Sequence, residues 1–303
     1  MLLFINNGND CYLNAVLQAL FNIPVFKHYF ENISNDNSHT GNSHTSIIQI
    51  LSRIIKQNTL INPMEIKQLL GRFDDHASSI FGNSKQQDAH EAIGKIIDII
   101  HMITKYDNPI YGFRDNETWN NTVKNNFSFI THYFTGQFKT TVICKSCKYK
   151  SITYENFNDI HLSLTYDDIS DCIIDFIKLE NMDGTCEKCK LSENLARITT
   201  IWRFPKVLII NLKRFSWVKE SGSIHRINKN IHLDDQLKFE SSGFNFVYTL
   251  SSVVNHHGFG PHSGHYTIDI LKNDIWYKID DNDVYRTSVN SSSAYILIYI
   301  LTT

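Results

Sequence analysis

Apolar residues recur every three or four positions in the first third of the chain, which is the period of an α-helix with one buried face. The first stripe directly follows Cys11 and consists of Leu13, Val16, Leu17 and Leu20. Further stripes predict helices at 47–55, at 63–70 with a proline in the first turn, and from the polar segment 86–91 onwards. The first part of the chain is therefore predicted to be mostly helical.

Two polar stretches interrupt this periodic region. Residues 31–46 are rich in Asn, Ser, His and Thr and have no apolar period, which predicts a surface loop without catalytic chemistry. Residues 107–126 are also polar, and we expect them to be irregular.

From residue 134 the pattern changes to short alternating or fully apolar runs, which are typical of β-strands. Strands are predicted at 138–143, within 151–164, and at 201–215, 246–254, 266–271, 276–284 and 294–301. The run at 201–215 is almost continuously apolar, as expected of a central strand that is buried on both faces. A short helix is predicted at 173–179, a turn at 220–223 and a glycine-rich loop at 256–266. Helices followed by antiparallel hairpins indicate an α+β fold.

Length and charge limit the classes of function. The chain has 303 residues, which is long for one compact unit but acceptable for one elaborated domain. Its 29 Lys and Arg residues nearly balance 31 Asp and Glu residues, so no global charge attracts nucleic acid or an anionic membrane. Residues 1–5 are too short for a secretory signal, and no apolar stretch approaches the ~18 residues of a membrane span. We therefore expect an intracellular, cytoplasmic protein that binds neither nucleic acid nor a membrane.

Cys11 lies where a polar glycine turn meets the first predicted helix. Unpaired N–H groups and the positive end of the helix dipole favour the thiolate there, which is the nucleophilic form of cysteine. A lone cysteine at such a position is more often a small buried hydrophobic residue, so a second catalytic feature is required. His265 supplies one, because it follows the glycine-rich loop and precedes a strand that ends in Asp280 and Asp281. Such a set offers a thiol its base and that base an orienting carboxylate.

The six cysteines include two C-x-x-C pairs, formed by Cys144 with Cys147 and by Cys186 with Cys189. In a chain without an export signal these pairs favour metal ligation over disulfides. Four thiolates are the ligands of a tetrahedral structural zinc ion, with no position left for water. Two unrelated surface pairs are the weaker alternative, because exposed free thiols are a liability. Cys172 lies outside both pairs and is expected to be packed in the short helix.

The segment QQDAHE at 86–91 places polar groups in the first turn of a predicted helix. Its acids complement the helix dipole and offer a place for a cationic ligand. A capping turn with a solvated face explains the same residues equally well.

Six ordered motifs resemble those of the ubiquitin-specific proteases, a family of deubiquitinating cysteine proteases. They are the Cys11 stretch, QQDAHE, the paired C-x-x-C knuckles, PKVLIINLKRF, SGHY and WYKIDD, and they span nearly the whole chain. The resemblance implies one papain-like catalytic domain over 1–303 with a right-hand architecture. Its parts would be a helical thumb at about 1–130, fingers at about 134–155 and 180–235 with a zinc-knuckle tip, and a β-sheet palm.

The resemblance also implies catalytic roles. Cys11 matches the nucleophile, and His265 matches the general base that later protonates the leaving lysine amine. Asp280 matches the residue that fixes the imidazole tautomer, with Asp281 as the alternative because the two acids are adjacent. Asn6 matches the oxyanion donor that acts with the Cys11 backbone N–H, an effect worth ~3 kcal/mol per donor.

The implied substrate is ubiquitin joined to other proteins through its C-terminal glycine, whose tail carries arginines. Asp88, Glu91 and Asp159 match positions that face this tail. The walls of a narrow channel that admits only glycines are matched by Phe215, His257 and Tyr266. The expected partners are ubiquitin and ubiquitinated proteins, and we expect a monomer.

One departure from the family pattern concerns the residue before the nucleophile. The family usually has threonine there, whereas this chain has Asp10. An adjacent acid should raise the pKa of the thiol and slow the enzyme, unless Asp10 points away. A catalytically weak or inactive ubiquitin-binding module therefore stays open, as does a protease for another modifier with the same diglycine tail.

Overall fold

A computed structural model describes residues 1–33, 45–57, 60–73, 81–83, 85–105, 119, 123–124, 126–192, 195–219, 222–241, 243–260, 263–289 and 291–302. Most of the predicted loop at 31–46 and of the irregular segment at 107–126 lies outside these residues, as does half of the turn predicted at 220–223. Within the described ranges, no helix combines the length and the apolar character that crossing a membrane requires.

The helices of the N-terminal region occur where the apolar stripes predicted them, with two additions. They are α1 (Cys11–Asn22), α2 (Pro24–Asn32), α3 (Thr45–Lys56), α4 (Met64–Arg72), α5 (Ala89–Ile103) and α6 (Phe129–Tyr133). The helix α2 was not predicted, although Pro24 begins it and Phe26 and Phe30 bury one face. The four predicted stripes are confirmed as α1, α3, α4 and α5.

The burial of α1 differs from the prediction of one buried face, because every residue from Cys11 to Phe21 is buried. Three of its polar side chains form hydrogen bonds with the rest of the protein. Asn14 and Gln18 donate to residue Asp281, and Asn22 donates to Ser251. This central helix packs against α2, α5 and the strands described below.

The rest of the chain forms strands and one further helix. The strands are β1 (Gly136–Cys144), β2 (Lys150–Phe157), β3 (Ile160–Leu162), β4 (Glu180–Met182), β5 (Leu195–Arg203), β6 (Val207–Leu212), β7 (Phe215–Val218), β8 (Ser223–Arg226), β9 (Gln236–Ser241), β10 (Phe244–Gly260), β11 (Ser263–Lys272), β12 (Ile275–Asp280), β13 (Asp283–Arg286) and β14 (Ala294–Leu301). The helix α7 (Ile169–Ile177) follows β3 and buries Cys172, as expected.

These strands form two larger sheets and a separate β7–β8 hairpin. The fingers sheet has the order β2-β1-β5-β4 and is antiparallel. The palm sheet has the order β13-β12-β11-β10-β14-β6-β3, with β9 paired to β10, and only its β3–β6 pair is parallel among the described strands. The residue boundaries expected for thumb, fingers and palm stay a prediction.

The single strand predicted at 201–215 covers the end of β5, the whole of β6 and the first residue of β7, which lie in different sheets. Pro205 lies between β5 of the fingers sheet and β6 of the palm sheet, and proline cannot donate to a strand ladder. The strand β6 is buried on both faces as predicted, but it lies next to the edge strand β3 and not at the centre of the sheet. Val207 and Ile209 join the core under the helices, whereas Leu208 and Ile210 join the core around α7.

The glycine-rich loop predicted at 256–266 is mostly strand, since β10 continues to Gly260 and β11 begins at Ser263. The glycines allow two strands to approach closely. A Cβ on Gly258 would lie 2.6 Å from the Gly264 Cα, too close for any side chain. The strand predicted at 276–284 is likewise a hairpin, which turns at Asp281 with a φ of 52°.

Candidate active site

Cys11 is the first residue of α1, and only 3% of it is exposed. The turn before it has left-handed backbone at Gly8 and Asn9, which glycine and asparagine tolerate best. Asn6 closes this turn, because its Oδ1 accepts hydrogen bonds from the N–H groups of Gly8 at 2.9 Å and Asp10 at 3.2 Å. The local sequence therefore presents the Cys11 thiol at a helix start, as predicted.

His265 lies on β11 and connects the thiol to a carboxylate. Its side chain interacts with Cys11, and its Nε2 lies 2.6 Å from Asp280 Oδ1. These two interactions, the one with Cys11 first, outweigh partial burial and raise the pKa of His265 to about 9. The imidazole is therefore held in its protonated form near neutral pH.

The two adjacent acids at the end of β12 make different contacts. Asp280 contacts His265, whereas both carboxylate oxygens of Asp281 face the N-terminal region. Asp281 Oδ2 accepts from Asn6 Nδ2 at 2.9 Å, and its Oδ1 accepts from Asn14 Nδ2 at 2.8 Å. Asp280 is thus placed to orient the imidazole, and Asp281 to hold Asn6 and α1.

Gln86 is a buried neighbour of the thiol to which the sequence assigned no role. Its Nε2 lies 4.0 Å from Cys11 Sγ, and its Oε1 accepts from the Gly264 N–H at 3.1 Å. One side chain therefore joins the Cys11 thiol to the strand that carries His265. The sequence signal was weak, since a glutamine in a polar helix turn is normally solvated.

The carboxylate of Asp10 is engaged by a lysine and by a backbone N–H. Its Oδ1 forms an ion pair at 2.5 Å with Lys67 Nζ from α4, and its Oδ2 accepts from the Asn7 N–H at 3.3 Å. The acid is fully buried, and the lysine side chain is only 6% exposed. The negative charge of Asp10, which was expected to disfavour the Cys11 thiolate, is thus paired with the positive charge of Lys67.

The predicted tail-facing acids have different surroundings. Asp88 is buried at the N-cap of α5, where its carboxylate accepts from the His90 N–H and from the Tyr295 hydroxyl, both at 2.6 Å. Glu91 in the same helix is exposed. Asp159 is partly exposed between β2 and β3 and interacts with His90. Asp88 therefore serves the protein's own structure, whereas the other two acids are accessible.

The predicted channel residues divide between the two faces of the β10–β11 ladder. Tyr266 is paired with His256, and their rings are 4.6 Å apart. Phe215 makes an edge contact with His256 at 5.3 Å. His257 is paired with His265, and opposed residues of a ladder point to the same face. The structure thus groups Phe215 with Tyr266, and His257 with the candidate base.

The four paired cysteines meet at the tip of the fingers sheet. The Sγ atoms of Cys144 and Cys189 are 3.8 Å apart, those of Cys147 and Cys186 are 3.7 Å apart, and all four lie within 4.8 Å of one another. A tetrahedron with Zn–S bonds of about 2.3 Å has edges of about 3.8 Å. The donor set and its spacing therefore fit a structural zinc ion.

Sequence comparison identifies relatives over almost the entire chain. A family model described as ubiquitin carboxyl-terminal hydrolase matches residues 4–299. Ubiquitin carboxyl-terminal hydrolase 2 of Homo sapiens is 29% identical over 333 residues, covering 98% of this chain and 54% of the relative. Ubiquitin carboxyl-terminal hydrolase 36 of Drosophila pseudoobscura pseudoobscura is 28% identical over 320 residues, covering 98% of this chain and 29% of the relative. The chain spans about half the length of the first relative and less of the second.

Solved structures share the fold. The SAGA DUB module of Ubp8, Sgf11, Sus1 and Sgf73 bound to monoubiquitin matches with a TM-score of 0.79 at 21% identity, covering 100% of this chain and 69% of that chain. The module bound to ubiquitin aldehyde matches with a TM-score of 0.78 at 21% identity, covering 100% and 70%. This likeness confirms the α+β fold with its right-hand architecture. Because the family model covers far more than half of the chain, the protein belongs to the ubiquitin carboxyl-terminal hydrolase family, that of the ubiquitin-specific proteases indicated by its motifs.

Proposed function

We propose that this chain is a thiol-dependent deubiquitinase, which hydrolyses the isopeptide or peptide bond at the C-terminal glycine of ubiquitin. The observation that carries the proposal is that His265 interacts with both Cys11 and Asp280. A thiol, a base and an orienting carboxylate in contact are the requirements of nucleophilic acyl transfer.

In the proposed reaction the Cys11 thiolate attacks the carbonyl carbon of the ubiquitin C-terminal glycine. The negative oxygen of the intermediate accepts from the Cys11 backbone N–H and from the Asn6 amide, which Asp281 orients. The His265 imidazolium donates its proton to the leaving lysine amine and then takes one from the water that releases ubiquitin. Asp280 holds the ring in place through both steps.

Substrate recognition would depend on local acids rather than on net charge, because the whole chain carries a net charge of only −2. The accessible acids Glu91 and Asp159 suit the arginines of the ubiquitin tail. We propose that a zinc ion held by the four cysteines stabilises the fingers tip and takes no part in the chemistry. We further propose that the protein acts as a monomer in the cytoplasm on ubiquitinated proteins.

A ubiquitin C-terminal fluorogenic substrate tests the activity, with wild type compared with Cys11→Ala. Cys172→Ala is the matched control, because that thiol is buried in α7, outside the site. We expect background rates for Cys11→Ala and near-normal rates for the control. Equal hydrolysis by wild type and Cys11→Ala would remove Cys11 from the mechanism.

Covalent probes made from ubiquitin and from other diglycine-tailed modifiers test the substrate class. We expect rapid labelling of wild type by the ubiquitin probe and no labelling of Cys11→Ala. Ubiquitin binding without labelling of wild type would instead favour the inactive module. Preferential labelling by another modifier would move the proposed substrate to that protein.

A further inference from the structure

Three metal-ligating side chains meet where the start of α5 faces the link between β2 and β3. His90 Nε2 lies 2.5 Å from Asp159 Oδ2, and His161 Nε2 lies 3.0 Å from the same oxygen. The two rings are nearly perpendicular, with centroids 4.7 Å apart. The three possible ligand atoms all lie within 4.8 Å of one another.

We propose that His90, Asp159 and His161 form a second metal site, which binds a divalent transition-metal ion such as Zn²⁺ exchangeably. Two imidazole nitrogens and one carboxylate oxygen are a common protein ligand set for such ions, with the remaining positions left to water. The set differs in kind from the four-cysteine cluster, which leaves no open position.

The geometry needs only a small adjustment to hold an ion. With metal–ligand bonds of about 2.0–2.1 Å, tetrahedral ligand atoms lie about 3.3 Å apart. Both Nε2 atoms are somewhat closer than this to the Asp159 oxygen, and His90 is hydrogen bonded to it. An ion would take the place of the proton in that bond, and side-chain rotation of the three residues would supply the extra distance.

The surroundings make the site accessible. The side chains of His90, Asp159 and His161 are 24%, 28% and 46% exposed, so water can complete the coordination and the ion can enter. His90 lies in the first turn of α5, and its neighbours Asp88 and Glu91 add negative charge near the site. A divalent cation is therefore attracted electrostatically as well as ligated.

Metal binding would oppose substrate binding, a consequence that rests on the proposed function. Asp159 is one of the two accessible acids proposed to accept the arginine-containing tail. An ion on its carboxylate removes an acceptor and adds positive charge beside the tail. The ion would thus raise KM for ubiquitin substrates more than it lowers kcat.

Metal stoichiometry tests the site without using activity. Cys11→Ala protein, in which the nucleophilic thiol holds no ion, is dialysed to equilibrium against Zn²⁺ or Co²⁺, with and without His161→Ala. The matched control is His28→Ala, an exposed histidine on α2. We expect one ion beyond the cysteine-bound one, with a Co²⁺ spectrum lacking sulfur charge-transfer bands. His161→Ala should weaken that binding by at least the 10–100-fold typical of losing an outer-shell partner.

Binding that is absent in the parent, or unchanged by His161→Ala, would overturn the proposed site, whatever the enzyme's activity. The kinetic consequence is tested separately in protein that retains Cys11. Zn²⁺ should raise KM several-fold there, and His161→Ala should abolish most of the increase. Equal inhibition of both proteins would overturn the competition with substrate.

Discussion

Lys67 Nζ lies 2.5 Å from Asp10 Oδ1, and both side chains of this pair are buried. The pair links α4 to the turn that positions Cys11. Removing one member of a buried ion pair leaves an uncompensated charge, whereas replacing both members often costs little. The acid next to the nucleophile and its lysine are therefore expected to act as one unit.

Lys67→Met should destabilise the protein by about 3–5 kcal/mol, because Asp10 stays buried without its cation. Asp10→Asn/Lys67→Met should recover most of that loss, since no charge is left buried. Urea denaturation of Asp10→Asn, Lys67→Met and the double variant measures the three free energies of unfolding. A double variant as unstable as the sum of the two single variants would show that the residues act independently.

The pH dependence of hydrolysis should report the contacts of His265. Its pKa is raised to about 9 by Cys11 and Asp280, from an ordinary value of about 6.5. A histidine whose pKa is raised by folding stabilises the folded protein. This stabilisation is complete at pH values below the unfolded pKa of about 6.5, and it is lost as the pH rises through the folded pKa. The imidazolium should likewise persist until about pH 9, where kcat/KM should fall.

Asp280→Asn should move this alkaline limb to lower pH, because the imidazolium loses a carboxylate partner. Asp281→Asn is the matched control. It should leave the limb near its wild-type position while lowering kcat, since Asp281 orients Asn6 and not the ring. If both variants shifted the limb equally, the division of roles between the acids would be wrong. The pH profile of kcat/KM, measured from pH 5 to 10, distinguishes these outcomes.

Gln86 should contribute to catalysis, because it contacts Cys11 and also fixes the Gly264 backbone beside His265. Gln86→Ala should reduce kcat by about 10²-fold, the loss typical of removing one donor near the developing charge. Gln87→Ala is the neighbouring control, since its side chain bonds to Asn83 and Lys85 instead. A Gln86→Ala rate within twofold of the control would exclude this role.

The sequence predicted the elements whose pattern depends on local spacing. The periodic stripes identified α1, α3, α4 and α5, and the strand predicted at 294–301 matches β14. The predictions were wrong where local pattern conflicts with tertiary contact. Residues 256–266 were expected to be loop because they are rich in glycine, yet those glycines are needed for the close approach of β10 and β11.

The site was predictable to a similar extent. The titratable residues Cys11, His265 and Asp280 belong to recognisable sequence motifs, and the structure brings them into contact. The residues that support them were not predictable, because their contacts join distant parts of the chain. Gln86 is 75 positions from Cys11, and Lys67 is 57 positions from Asp10. Nothing in the local pattern around either residue distinguishes it from a solvated one.

The four-cysteine cluster should bind one zinc ion per chain in the purified protein, and the fingers tip should depend on it. The cluster joins the β1–β2 turn to the segment before β5, and in the described part of the chain Leu195 is the buried residue that packs with Cys144 and Cys186 there. Cys147→Ser should therefore lose the zinc and increase hydrogen exchange at the adjoining ends of β1 and β5, while exchange in the palm sheet stays unchanged. Elemental analysis and amide exchange measure the two effects, with Cys172→Ala as the control. Full zinc content in Cys147→Ser would contradict ligation by this cysteine.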